Sequence, residues 1–228
     1  MPYTLITANR NYSSWSLRPW VLMQALGIPF QDRVEPFAQA PNYAAFRAFS
    51  PTGQVPVLVD GDRTMWDSLG IILYLAERHP AVWPADEAAR AWAQCATAEM
   101  HSGFATLRND CPMNVGVRGE THLPSPALQR DLARLTELWG EGLSRFGGPF
   151  LAGGRFTAVD AFFAPVAFRV RTYGLDLGPV ARGWVDHMLA LPAMRQWEAE
   201  GLAETWREES HEADVGAAGR IVEDYRAV

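Results

Sequence analysis

The sequence predicts an α/β unit at the N-terminus followed by an all-helical unit. Over the first 80 residues, short apolar or alternating runs of strand type are interleaved with helical periodicity, and glycines and prolines stand at the junctions. Beyond Pro84 the strand signals stop and long stretches of helical spacing take over. With 228 residues, 48% hydrophobic and 20% charged, the chain is long and apolar enough to pack a core in each unit.

Tyr3 to Ala8 alternates apolar and polar residues with β-branched members, as a short strand does, and runs into the polar loop NRNYSS. Leu17, Trp20, Val21 and Leu26 then repeat at helical spacing until Gly27-Ile28-Pro29 stops them. Pro19 is tolerated only near a helix start, which predicts an N-cap at Trp15 or Ser16 and leaves Ser13 and Ser14 in the loop. A second strand is predicted around Phe30 to Glu35. A third, VPVLVD at 55–60, turns at Asp60-Gly61-Asp62 into a short partner near Arg63 to Trp66. DSLGIILYLAERHP reads as a buried helix capped by Asp67 or Ser68 and ended by His79-Pro80. The boundary therefore falls near 80–86, giving units 1–80 and 87–228. In the second unit, helices are predicted over Glu87 to Leu107, Pro126 to Phe146, Ala158 to Tyr173, Val180 to Leu191 and Ala193 to Trp206. Thr157 and Asp160 have capping-box spacing, and the residues from Glu212 onward read as a loosely held tail or a short last helix.

Several function classes drop out on composition. A formal charge of -6 and scattered arginines, among them Arg18, Arg169 and Arg171, do not make the basic stripe that nucleic acid requires. No apolar run approaches the ~18 residues of a membrane span, and MPYTLITANR lacks the basic-then-apolar pattern of a signal peptide. Cys95 and Cys111 are too few for a disulfide framework, so a reducing, cytoplasmic location is expected. The histidines show no HExxH spacing, and no metal is expected. Gly148 to Arg155 opens like a phosphate-binding loop but lacks its lysine and reads as a turn before a capped helix.

Four motifs carry a family resemblance. SSWSLR at 13–18 resembles the serine motif of the zeta class of glutathione transferases, and SPTGQVPVL at 50–58 resembles that family's segment with a cis-proline. Asp67-Ser68 stands where the family usually has Glu-Ser or Gln-Ser, and FTAVDAFFAPV at 156–166 resembles its helical-domain capping motif. The resemblance implies a thioredoxin-like glutathione-binding domain, an all-α second domain, glutathione as co-substrate and a homodimer.

The chemistry such a site needs is definite. A thiol with a pKa near 8.5 is only some 3% ionised at pH 7, and lowering it by two units takes about 2.7 kcal/mol. A charge-assisted hydroxyl bond with the positive end of a helix can supply that. By resemblance Ser13 contacts the thiolate and Ser14 is the second donor, with Tyr12 the outsider. If Pro56 is cis, the backbone of Val55 faces outward to pair with the peptide of glutathione. Gln54, Val55, Pro56 and Trp15 are expected in the glutathione site. Asp67 and Ser68 join amides, a hydroxyl and a carboxylate at a helix start, which suits a γ-glutamyl end and equally suits a plain N-cap. The glycine carboxylate has Gln39, Asn42 or Arg47 to choose from, and His101, Phe104 and Arg108 are the candidates for an acceptor pocket. Two departures from the zeta pattern bear on substrate. Trp15 replaces a small cysteine, and the substrate-holding arginine of the maleylacetoacetate isomerases falls at Thr172, with Arg171 one place earlier. The expected activity is glutathione transfer to an electrophile; the alternatives are glutathione-dependent cis-trans isomerisation and a non-catalytic interaction module.

Overall fold

A computed structural model describes residues 3–37, 43–121 and 125–227. Its first unit is built on β1 (Tyr3–Thr7), which pairs in parallel with β2 (Phe30–Val34) and antiparallel with β3 (Val57–Asp60). Leu5 sits opposite Asp32 on one side and Leu58 on the other. β3 turns into β4 (Arg63–Trp66) as the Asp60-Gly61-Asp62 signal predicts, with Gly61 supplying the positive φ of 61°. The order β2-β1-β3-β4 is the mixed sheet of a thioredoxin-like unit. The helices α1 (Ser14–Ala25), α2 (Tyr43–Phe46) and α3 (Ser68–Ala76) connect and cover it, α1 and α3 burying Leu17, Trp20, Val21, Ile71, Ile72 and Leu75 completely. A 3-10 turn, Pro80–Val82, follows.

The start of α1 corrects the sequence expectation. The helix begins at Ser14 with Ser13 as N-cap, two to three residues before the Trp15 or Ser16 cap that Pro19 suggests. Pro19 therefore lies inside it and leaves a carbonyl without its intrahelical donor. Packing outweighs that cost: α1 is buried on nearly every side, between the sheet and the helical unit.

The second unit holds α4 (Glu87–Ser102), α5 (Ala105–Asp110), α6 (Pro126–Phe146), α7 (Ala158–Tyr173), α8 (Gly178–Ala190), α9 (Pro192–Ala203) and α10 (Glu209–Ala218). The single helix expected over Glu87 to Leu107 is broken at Gly103-Phe104. There Phe104 takes φ 52°, and a side chain on Gly103 would meet the Glu99 carbonyl at 2.8 Å. α7 is the axis of the unit: fourteen of its residues are buried, and it packs on α1, α4 and α8. Its capping box forms as the Thr157/Asp160 spacing predicts.

Sequence reading placed no strand beyond Pro84, yet β5 (Val117–Thr121) pairs antiparallel with β6 (Gly219–Asp224), with a bulge at Arg118/Gly119. β6 is exposed beyond Gly219 and both strands carry charge, so their pairing across a hundred residues left no apolar alternation to read. The chain end is thus tied down by α10 and this ribbon.

One network seats the α1 loop on α9. The Glu204 carboxylate accepts the backbone N–H of Arg10 (2.6 Å) and of Asn11 (3.2 Å), and Trp197 Nε1 donates to the Arg10 carbonyl at 2.8 Å. Arg10 itself is 3% exposed, pairs with Asp32 and Glu200, and lies over the rings of Trp20 and Trp197. Charged and aromatic groups on both units hold the backbone just before Ser13. Among the described residues, no helix is long and apolar enough to cross a membrane, and no group of three or more His, Cys, Asp or Glu is placed to hold a metal.

Candidate functional site

A cavity of about 720 Å³ opens between the two units. The first unit contributes Ser13, Ser14 and Trp15 at the head of α1, the loop Thr52 to Pro56, and Trp66, Asp67 and Ser68 at the head of α3. Tyr12, Phe37 and Phe46 close one end. The helical unit contributes Arg108, Asn109, Pro112, Met113 and Arg169, and α10 adds His211 and Asp214. All eight residues expected to hold glutathione or its thiolate therefore border one space.

Each part of this wall has a local cause. Ser13 caps α1 without a side-chain bond to its amides, so the first-turn N–H groups have no acceptor from the cap. The Ser13 hydroxyl donates instead to Ser16 Oγ at 2.7 Å, which also accepts the Ala8 amide. Ser16 is thus a buried brace for the loop and not the N-cap. The side chain of Ser14, 8% exposed, has no hydrogen-bond partner among the described residues. The Thr52 to Pro56 loop is pinned by Ser50, whose hydroxyl accepts the Gln54 amide (3.1 Å) and donates to the Gln54 carbonyl (2.7 Å), while Gly53 turns the chain at φ 70°. The Val55-Pro56 bond is cis, the form on which the reading of Val55 depended. Asp67 caps α3 by accepting the Leu69 amide at 2.7 Å, and its own φ is 67°. Ser68 beside it is 1% exposed, with an Oγ that meets no partner among the described residues.

The helical wall carries two arginines, Arg108 and Arg169, and a third, Arg18, lies behind Trp15. Arg18 is completely buried with its guanidinium 4.0 Å from the centre of the Trp15 ring and 4.7 Å from that of Phe162. Its Nε and Nη1 meet no acceptor among the described residues, and burial, then Arg169 and Arg108, hold its pKa well below the ordinary arginine value. Arg169 donates from Nε to the Cys111 carbonyl at 2.7 Å, and its Nη1 has no partner among the described residues; burial brings its pKa down to about 10. Arg108 donates to the His101 carbonyl at 3.0 Å, lies 5.3 Å from the centre of the Trp15 ring, and is also lowered chiefly by burial. Trp15 is accordingly the plate on which two arginines rest.

The acceptor-pocket expectations divide. Arg108 borders the cavity, whereas Phe104 lies in the core, 6% exposed and edge-on to Phe163. His101 stands behind the wall, edge-on to Trp15 with Nε2 3.7 Å from Asp67, and burial lowers its pKa. Thr172 donates to the Asn114 carbonyl at 2.6 Å and Arg171 pairs with Glu198, and neither borders the cavity. Gln39 and Asn42 lie outside the described residues, and Arg47 does not border the cavity. Tyr12 commits its hydroxyl to Glu212, and burial with that bond raises its pKa.

Arg169 and His211 escaped sequence reading. The signal for Arg169 was available, since an arginine in a helix as apolar as α7 must be buried or face a cavity. His211 and Asp214 gave none, because their place depends on where the tail folds.

Residues 12–78 match the family model "Glutathione S-transferase, N-terminal domain" and residues 125–200 match "Glutathione S-transferase, C-terminal domain". A dichloromethane dehalogenase of Methylophilus leisingeri is 58% identical over 31 residues, 14% of this chain and 12% of that one. A zeta-class glutathione S-transferase of Euphorbia esula is 29% identical over 123 residues, 53% of this chain and 55% of that one, so the match spans about half of that relative. Among solved structures, the theta-class glutathione S-transferase of Xanthomonas axonopodis pv. citri with glutathione bound is 25% identical, with a TM-score of 0.63 over 86% of this chain and 97% of that one.

Proposed function

The chain belongs to the glutathione S-transferase family, and from that premise we propose that it activates the thiol of glutathione through serine hydroxyls for attack on an electrophilic small molecule. One observation carries the reading: the serines at the head of α1, the Gln54-Val55-Pro56 turn and Asp67-Ser68 at the head of α3 all border one cavity. In this reading Val55 pairs through its backbone with the cysteinyl residue of glutathione. Asp67, Ser68 and the first amides of α3 take the γ-glutamyl end. Ser14, and Ser13 once its hydroxyl turns from Ser16 to the sulfur, stabilise the thiolate with the α1 amides, and the acceptor is held against it by the helical wall. A homodimer in the cytoplasm goes with this reading, and light scattering of the purified protein tests the dimer.

A glutathione-dependent isomerase acting on an unsaturated carboxylate is the second reading. It is favoured by Arg108 and Arg169 on the helical wall, although the arginine position of the isomerases is occupied by Thr172. The test is glutathione binding by calorimetry, followed by conjugation of 1-chloro-2,4-dinitrobenzene and turnover of a maleyl compound. Glutathione consumed stoichiometrically supports transfer; a maleyl compound isomerised without net glutathione consumption moves the assignment to the isomerase. No glutathione binding leaves a non-catalytic interaction module.

A further inference from the structure

The serine mechanism stabilises a thiolate but names no acceptor for the proton that the thiol gives up. A serine hydroxyl does not take a proton at neutral pH, and that of Ser13 already donates to Ser16. On the same cavity stands an imidazole, His211, held by an arrangement the serine reading does not use.

Glu208 caps α10, and its Oε2 accepts the backbone N–H of His211 (2.9 Å) and the Ser210 hydroxyl (2.6 Å) while lying 2.6 Å from His211 Nδ1. Burial alone would raise this carboxyl, but the hydrogen bonds from Ser210 and His211 outweigh it and hold the group at about 2. Glu208 is therefore ionised at neutral pH and can only accept, so Nδ1 carries the proton of their shared bond. In the neutral ring this leaves the lone pair on Nε2. The ring plane is fixed between Tyr12 (centroids 4.9 Å apart, 22° between planes) and Phe37 (5.0 Å, 16°). Tyr12 is the chain neighbour of Ser13, so the imidazole lies against the loop that carries the serines. The charged groups around it are Glu208, Glu212 and Asp214 from α10, with Arg226 paired to Glu212 from beyond β6; Tyr12 and Phe37 bring no charge at neutral pH.

We propose that His211, oriented by Glu208, is a catalytic base that accepts the thiol proton of glutathione. The S–H bond breaks, an N–H bond forms at Nε2, and the electron pair stays on sulfur, giving a thiolate beside an imidazolium balanced by the Glu208 carboxylate. The proposal rests on the glutathione reading above and adds to it the destination of the proton.

The decisive experiment counts protons. Glutathione binding at pH 7 is measured by calorimetry in phosphate and in Tris, whose ionisation heats differ, alongside thiolate absorbance, for the wild type, His211→Gln and Glu208→Gln. The wild type should form the thiolate while releasing almost no proton to the buffer. His211→Gln should lose most of the thiolate at pH 7 and about 100-fold or more in kcat/KM, with binding of S-methylglutathione, which has no thiol proton, unchanged within about twofold. Glu208→Gln should fall between. One proton released to the buffer per thiolate in the wild type overturns the proposal without recourse to any variant, as does a His211→Gln protein that keeps both thiolate and rate. Loss of S-methylglutathione binding in His211→Gln overturns it too, by making His211 part of the binding surface alone. Failure of the wild type to bind glutathione sinks the underlying reading instead.

Discussion

Replacing Asp160 with alanine removes the acceptor on which the head of α7 is built, and α7 carries Arg169 to the cavity. One Asp160 oxygen takes the Leu151 amide at 2.9 Å and Trp184 Nε1 at 3.3 Å; the other takes the Thr157 amide at 3.0 Å and its hydroxyl at 3.4 Å. The side chain is completely buried, so water cannot replace it. A buried donor left without an acceptor costs ~1–3 kcal/mol, and two amides with an indole predict a loss of ~3 kcal/mol or more at pH 7. The loss should grow with acid. Burial, partly offset by those four donors, raises the carboxyl from 3.8 to about 6. The native state thus holds this proton more tightly than the unfolded chain. The contribution of Asp160 to stability should rise as pH falls through 6 toward 3.8, by up to ~3 kcal/mol at ~1.36 per unit, and the alanine variant lacks that gain. Urea unfolding followed by tryptophan fluorescence at pH 7, 5.5 and 4.5 reads the difference directly. A gap under ~1 kcal/mol at pH 7, or one that narrows toward pH 4.5, refutes the reasoning.

Other outcomes follow from the same geometry. Arg108→Ala should cut about tenfold the preference for a carboxylate-bearing acceptor over its methyl ester, as loss of one charge-assisted hydrogen bond implies, and paired kcat/KM values check it. Gly142→Ala should lose ~1–3 kcal/mol in urea unfolding, because its new methyl would lie 2.4 Å from Trp92 Cη2 and 2.5 Å from the Leu151 carbonyl. In the native protein a thiol reagent should modify Cys95, which is exposed, and spare Cys111, which is buried and pushed up to about 12, chiefly by burial; two thiols reacting without denaturant would contradict this.

The parts of the fold that sequence made legible are those that local chemistry specifies. The Asp60-Gly61-Asp62 turn set its own hairpin, the Thr157/Asp160 spacing set its own capping box, and the stop at Gly27 ended α1 where the periodicity ended. What failed depended on distant residues. Pro19 is a local argument that eight other buried residues of α1 overrule, and the inward place of Phe104 depends on its packing against Phe163 of α7. The β5–β6 ribbon joins segments a hundred residues apart with no apolar pattern, and α10 reaches the cavity only because that ribbon and the Tyr12–Glu212 bond bring it there. The cavity residues of the first unit were therefore readable from short motifs clustered before residue 70, whereas those that α5, α7 and α10 bring to the opposite wall were not.

The central claim is that serine hydroxyls at the head of α1 stabilise the glutathione thiolate. Its most direct test is the pH titration of thiolate absorbance for glutathione bound to the wild type and to the Ser13→Ala/Ser14→Ala double variant. The account predicts a thiolate formed near pH 7 or below in the wild type and a return toward the free-thiol pKa of about 8.5 in the double variant. Tight binding with the same titration midpoint in both proteins would contradict it.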